Sequence, residues 1–254
     1  MAYTRGMLTV AFGLIGAIIG SFVGVIAERV HTGQSYMTGR SRCNSCAREL
    51  GPQDLIPILS WVSTAGRCRT CGAKIPALYA VLELALALIF AFASASFGLS
   101  SALLAFLSAV SVLAFIVLYD LRHTIVPSYA SVLLLILSAV TLFARVPSAY
   151  ELGGAFLTAG FIALGFLLLH VFSGGRAMGL GDAPVAFSLS LLVAPYAFAG
   201  LLFSFWIGAL CGIAILFMRR GGPRMGIEVP FVPFLALGYL LAYFIQWNPL
   251  AFIP

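Results

Sequence analysis

Apolar residues in this chain neither alternate nor recur on a single helical stripe; they come in long runs broken by short polar punctuation. The runs fall at Met7 to Glu28, Ala77 to Phe97, Ser101 to Tyr119, Ser128 to Ala144, Leu152 to Phe172, Pro184 to Ala197, Ala199 to Met218 and Pro230 to Trp247. Most approach the roughly 20 residues that carry a helix across hydrocarbon. Continuous runs favour helices over strands, because a helix satisfies its own backbone in lipid. The pattern predicts an all-α, polytopic membrane bundle of about eight transmembrane helices. Its sixth and seventh members are nearly continuous and are divided at Pro195 on length alone. Arg5 ahead of the first run is signal-peptide-like, but the run is long and no small-residue cleavage site is evident.

Composition fixes the solvent: 62% of residues are hydrophobic, 9% are charged and the mean hydropathy is +1.09, which excludes a soluble domain. Threading the spans with the N-terminus outside leaves only Arg5 and Arg145 on that side. Arg29, Arg40, Arg42, Arg48, Arg67, Arg69, Lys74, Arg122, Arg176, Arg219, Arg220 and Arg224 all fall inside. Such a bias supports both the count and the direction of the thread, with the polar loop facing the cytoplasm. The net charge of +6 then reflects basic cytoplasmic loops beside anionic lipid. No basic stripe interleaved with aromatics is present, so nucleic acid is not expected as a partner.

The one long polar segment, 30–76, separates a first helix, 1–29, from an apolar core, 77–254. It holds four of the 5 cysteines, as Cys43-Asn44-Ser45-Cys46 and Cys68-Arg69-Thr70-Cys71. Paired C-x-x-C knuckles can close a tetrahedral thiolate site, and a loop this short needs a staple, so zinc is expected. Two disulfides are the competing reading, at odds with a reducing compartment. Cys211, in an apolar run, reads as a packing residue. The patch Asp54 to Trp61 is either the core of the loop module or a contact with the membrane interface. In the first helix, Gly16, Gly20 and Gly24 recur every four residues and let another helix come close.

Carboxylates inside apolar runs need a reason, since each costs roughly 2.5–3.5 kcal/mol at the centre of a spanning helix. Asp120 ends one such run, and Asp182 closes Met178-Gly179-Leu180-Gly181-Asp182 before another. The thread places both at the cytoplasmic face. Gly179 and Gly181, without Cβ atoms, permit unusual dihedrals and close approach of a second chain. Glu83 pairs with a loop arginine, snorkels to the interface or binds a ligand. His123 is a candidate acid or base; His31 and His170 offer less. Two carboxylates brought together titrate as a unit, which suits peptide hydrolysis without a covalent intermediate: one takes a proton from water while the other donates to the carbonyl oxygen.

The ordered set of motifs resembles the type IV prepilin peptidases, bifunctional membrane aspartic proteases of the G-x-G-D class, over nearly the whole chain. The matching pieces are Gly20-Ser21-Phe22 with Val25 and Arg29; the two knuckles; Ile56-Pro57 with Ser60-Trp61; and Gly66-Arg67-Cys68-Arg69 with Cys71. Further along come Tyr79 and Glu83, Asp120 with Pro127, Gly179-x-Gly181-Asp182, and Val229-Pro230-Phe231-x-Pro233-Phe234-Leu235-Ala236-x-Gly238. The resemblance implies a protein of the bacterial inner membrane that cleaves the basic leader of prepilins and pseudopilins at the cytoplasmic face, serving pili or type II secretion, by Asp120 and Asp182. It also implies N-methylation of the new terminus with S-adenosylmethionine, an activity associated with the cysteine loop. Gly66 and Glu83 are the candidates for binding that cofactor. Four positions depart from the family: Pro184 replaces a lysine, Gly24 an asparagine, Ser128 an Asp or Asn, and Leu78 an arginine. Two rival classes remain: a proton-coupled transporter, which predicts midplane binding residues and repeat symmetry, and a non-catalytic assembly factor docking partners through the zinc loop.

Overall fold

The structure, a computed structural model, describes residues 2–33, 35, 39–146, 148–176, 178–218 and 229–247. Arg219, Arg220 and Arg224 of the basic loop set lie outside them. Nine α-helices and one 3-10 turn are found among the described residues. They are α1 (Ala2–Thr32), the turn Pro52–Asp54, α2 (Leu59–Ser63), α3 (Ala77–Phe97), α4 (Ser101–His123) and α5 (Ser128–Arg145), followed by α6 (Ala149–Ser173), α7 (Asp182–Leu192), α8 (Ala197–Met218) and α9 (Val232–Ile245). All eight expected apolar helices are present. Six of them, α1, α3, α4, α5, α6 and α8, are long and apolar enough to cross a membrane; α7 and α9, with 11 and 14 residues, are shorter.

Helix limits follow local chemistry. Pro76 and Pro127 precede α3 and α5, where fixed φ and a missing N–H cost nothing at a helix start. Gly174 ends α6 in the left-handed region at φ 59°. The division at Pro195 falls where α7 gives way to α8. The start of α7 differs from expectation: the helix begins on Asp182, not after it. Pro184 is tolerated in that first turn, whose N–H groups have no intrahelical acceptor anyway.

The chain divides into two compact units, Met1–Leu103 and Leu104–Pro254. In the first, α1 packs along α3. A Cβ at Gly20 would lie 2.8 Å from Glu83 Cα, and one at Gly16 would lie 2.9 Å from Phe90 Cβ, so the glycine ladder is a helix-packing face. In the second, α7 is the central element, with Val185, Ala186 and Leu189 through Leu192 buried against α5, α6, α8 and α9. Gly200 and Gly238 let α8 and α9 cross closely, and Ser190 Oγ lies 2.9 Å from Tyr239 Oη inside that core.

Candidate functional site

Asp120 and Asp182 both lie in the second unit and are only 5% and 7% exposed. Asp120 occupies the last turn of α4. The helix stops there because Thr124 turns to φ 53°, its N–H donating to the Asp120 carbonyl at 2.8 Å, and Pro127 then begins α5. Asp182 opens α7 and is wired into its own loop: the Gly179 N–H donates to Asp182 Oδ2 at 3.1 Å, and the Asp182 N–H donates to the Gly179 carbonyl at 3.2 Å.

Three neighbours of this pair were not legible as site residues. Val232, the first residue of α9, donates its N–H to the Asp120 carboxylate, using one of the donors that a helix start leaves without an internal acceptor. The Pro233 behind it marks that start and was the available signal. Val126, from the turn after α4, packs on Gly181. His170, near the end of α6, places Nδ1 2.9 Å from the Met178 carbonyl and so anchors the strand entering the G-x-G-D turn. His123 instead lays its ring on Tyr119, centroids 4.6 Å apart.

Gly181 has ordinary helical dihedrals, φ −67° and ψ −20°, so its lack of a side chain serves close approach and not an unusual backbone. A Cβ at Gly179 would meet Asp182 Oδ2 at 3.4 Å, an ordinary contact. Asp120 Oδ2 is buried and without a hydrogen-bond partner among the described residues. A buried acceptor left so costs about 1–3 kcal/mol.

The first unit holds a second site. Both knuckles fold alike: the N–H of Cys43 donates to the Arg48 carbonyl and that of Cys68 to the Ala73 carbonyl, each at 2.9 Å. The residue after each second cysteine turns to positive φ, Ala47 at 56° and Gly72 at 70°. The four sulfurs of Cys43, Cys46, Cys68 and Cys71 lie within 4.8 Å of one another, with Cys43 and Cys71 3.8 Å apart. Tetrahedral zinc with bonds of about 2.3 Å separates its ligands by roughly 3.8 Å, so the set fits a metal ion. The spacing is far beyond a disulfide bond, and all five cysteines are free. The N–H groups of Cys71 and Thr70 aim at the Cys68 sulfur and bring its thiol down to about 6, toward the thiolate that binds metal.

Asp54 ties the knuckles together, accepting from Arg48 at 2.7 Å, Arg69 at 2.9 Å and the Gly51 N–H at 3.1 Å. Leu55, Ile56 and Leu59 beside it are exposed, so they are not a core of the module.

A cleft of about 560 Å³ runs between the C-terminal end of α1, the N-terminal end of α3 and this loop, and Glu83 lines it. Glu83 Oε2 accepts the Ile58 N–H at 2.6 Å. Gly66 stands behind the cleft wall: its φ is +65°, and a Cβ there would meet the Trp61 indole at 2.9 Å. Gly66 therefore positions Trp61, whose Nε1–H donates to the Ile75 carbonyl at 3.1 Å.

Comparison with known proteins covers both units. The family described as Bacterial Peptidase A24 N-terminal domain matches residues 14–97. A prepilin leader peptidase/N-methyltransferase of Bacillus subtilis is 34% identical, covering 93% of this chain and 94% of its own length. One of Myxococcus xanthus is 33% identical over 87% of this chain and 68% of its own length. A type 4 prepilin-like protein leader peptide-processing enzyme of Escherichia coli is 29% identical over 91% of each. No solved structure matches the chain.

Proposed function

The chain belongs to the prepilin leader peptidase/N-methyltransferase family, and from that premise we propose that it cuts the basic leader from prepilins or pseudopilins with Asp120 and Asp182 as its catalytic pair. The observation that carries this is the pair itself: two buried carboxylates from helices far apart in sequence, in one unit, one of them with an unpartnered oxygen. The ionised member takes a proton from water as the oxygen attacks the scissile carbonyl; the protonated member donates to the carbonyl oxygen. Collapse of the resulting gem-diol breaks the carbon–nitrogen bond: the amine takes the proton first drawn from water, and one hydroxyl returns its proton to the other carboxylate, restoring the pair. Gly181 lets Val126 close against the turn and Gly179 lies beside the Asp182 carboxylate, so the two glycines shape the site, and the Val232 N–H holds the Asp120 carboxyl in place.

The second activity is methylation of the new N-terminal amine with S-adenosylmethionine. Cys43, Cys46, Cys68 and Cys71 hold zinc, which when bound supplies a structural staple for the loop. Segment 77–254 carries the peptidase, and the zinc loop and active site face the cytoplasm with the N-terminus outside.

Purified protein incubated with a prepilin peptide bearing its leader tests both activities at once by mass. Asp120→Asn and Asp182→Asn should each abolish the cut. Full cleavage by either variant would remove that residue from the catalytic role, and full cleavage by both would leave a docking factor as the better reading.

A further inference from the structure

Of all the cations, the thread sets only Arg5 and Arg145 apart from the basic loops. Arg145 closes α5, and its Nη1–H donates to the Leu192 carbonyl at 3.3 Å. Leu192 is the last residue of α7, so that carbonyl is one of the four that a helix end leaves without an internal donor. The packing beside it is apolar: Leu142 of α5, Ala159 of α6 and Leu191 of α7 form one buried cluster. A carbonyl stranded among such groups is costly, and a cation at a helix C-terminus also meets the negative end of the helix dipole. The guanidinium carbon lies 5.4 Å from the centroid of the Tyr243 ring of α9, a cation–π arrangement. That ring in turn packs 4.9 Å from Phe106 of α4, the helix that carries Asp120. One side chain therefore joins α5, α7 and α9, and none of the steps above uses it.

We propose that Arg145 is a positioning residue for leader cleavage: it holds α7 by its last carbonyl and so keeps Asp182, the first residue of the same helix, in its working place. The proposal rests on the peptidase reading. An unbroken helix of 11 residues moves as one rod, so a shift at Leu192 is also a shift at Asp182. At the opposite end, Val126 in the turn that leads into α5 closes on Gly181. Helix α5 and its leading turn thus grip α7 at both ends, by a charged hydrogen bond at one and by a steric contact at the other. Loss of the charged grip frees the rod to slide or tilt, and a catalytic group misplaced by about 1 Å can lose about a hundredfold in rate. Arg145 bonds to the far end of α7, so it acts through geometry and not by contact with the scissile amide.

The test uses the full-length zinc-loaded protein in detergent and a prepilin peptide bearing its leader. Arg145→Ala should lower kcat by about tenfold or more while KM stays within about twofold of wild type, at unchanged helical content. Arg145→Lys keeps a charge and a donor and should recover most of the rate. Guanidinium ion at millimolar concentration should restore part of the kcat of Arg145→Ala. Leu157→Ala, on the exposed side of α6, should match wild type. Tyr243→Leu, which keeps the arginine and removes the ring beside it, gives a second reading should Arg145→Ala fail to fold: kcat reduced roughly threefold with KM unchanged supports the proposal, and wild-type kcat overturns it. Wild-type kcat in Arg145→Ala overturns it as well. So does a loss that only tracks the folded fraction and gains nothing from lysine or guanidinium. Full cleavage by Asp182→Asn overturns the peptidase reading itself, an outcome distinct from these because it does not depend on residue 145.

Discussion

A methyl group added at Gly181 would lie 2.8 Å from the Cβ of Val126, so the G-x-G-D turn and the turn that follows Asp120 are in backbone-close contact. Gly181→Ala must push them apart, at about 1–3 kcal/mol for an overpacked position. Leader cleavage should fall at least tenfold. Gly179→Ala should stay within a few-fold of wild type, and Val126→Gly, which removes the clashing Cβ, should recover part of the loss in the Gly181→Ala background.

His170 should behave as a positioning residue. Removing its bond to the Met178 carbonyl forfeits about 0.5–1.5 kcal/mol, so His170→Ala should slow cleavage two- to tenfold through kcat. Asn, whose amide nitrogen can stand in for Nδ1, should restore most of the rate; equal losses in Ala and Asn would count against the anchor.

Gly66 combines a left-handed backbone with contact against the Trp61 indole. Gly66→Ala should cost about 1–2 kcal/mol from the backbone alone. Methylation should fall while cleavage of the leader persists, and Trp61 fluorescence should shift as the ring moves. An unchanged spectrum with lost methylation would point to a direct role of Gly66.

Zinc removal should open the first unit locally. Cys43→Ser with Cys68→Ser should release the ion and make the segment 40–75 sensitive to protease. Stoichiometric zinc retained in that double variant would refute the four-thiolate assignment.

Burial pushes the Asp54 carboxyl up, but the Gly51 N–H and the guanidiniums of Arg48 and Arg69 outweigh it and hold it below the ordinary carboxylate value. A lowered acid contributes stability above its unfolded pKa of about 3.9 and loses it as pH falls through the folded value. Asp54→Asn should therefore weaken the loop at neutral pH. The gap between wild-type and variant protease-resistance curves should close as pH drops below about 4; a gap that persisted would assign the effect to shape, not charge.

Much of this was legible in the run pattern. Eight apolar stretches became eight apolar helices, and the two knuckles announced their own convergence by spacing. Helix ends were read less well, because Asp182 sits inside α7 and Asp120 inside α4, where Pro184 and Thr124 decide the limits by backbone chemistry a hydropathy pattern does not see. The partners of the aspartates, Val126, His170 and Val232, contribute through a bare Cβ, a ring nitrogen and a backbone N–H. A Cβ contact and a backbone N–H leave no mark in their own residue type, and a lone histidine does not say which carbonyl it will meet.

Helix α7 has 11 residues, so at 1.5 Å each it reaches about 16 Å, roughly half of a 30 Å hydrocarbon core. Because α5, α6, α8 and α9 enclose it, those helices and not lipid must screen its ends from hydrocarbon. Asp182, its first residue, is therefore held at its height in the bundle by neighbouring protein.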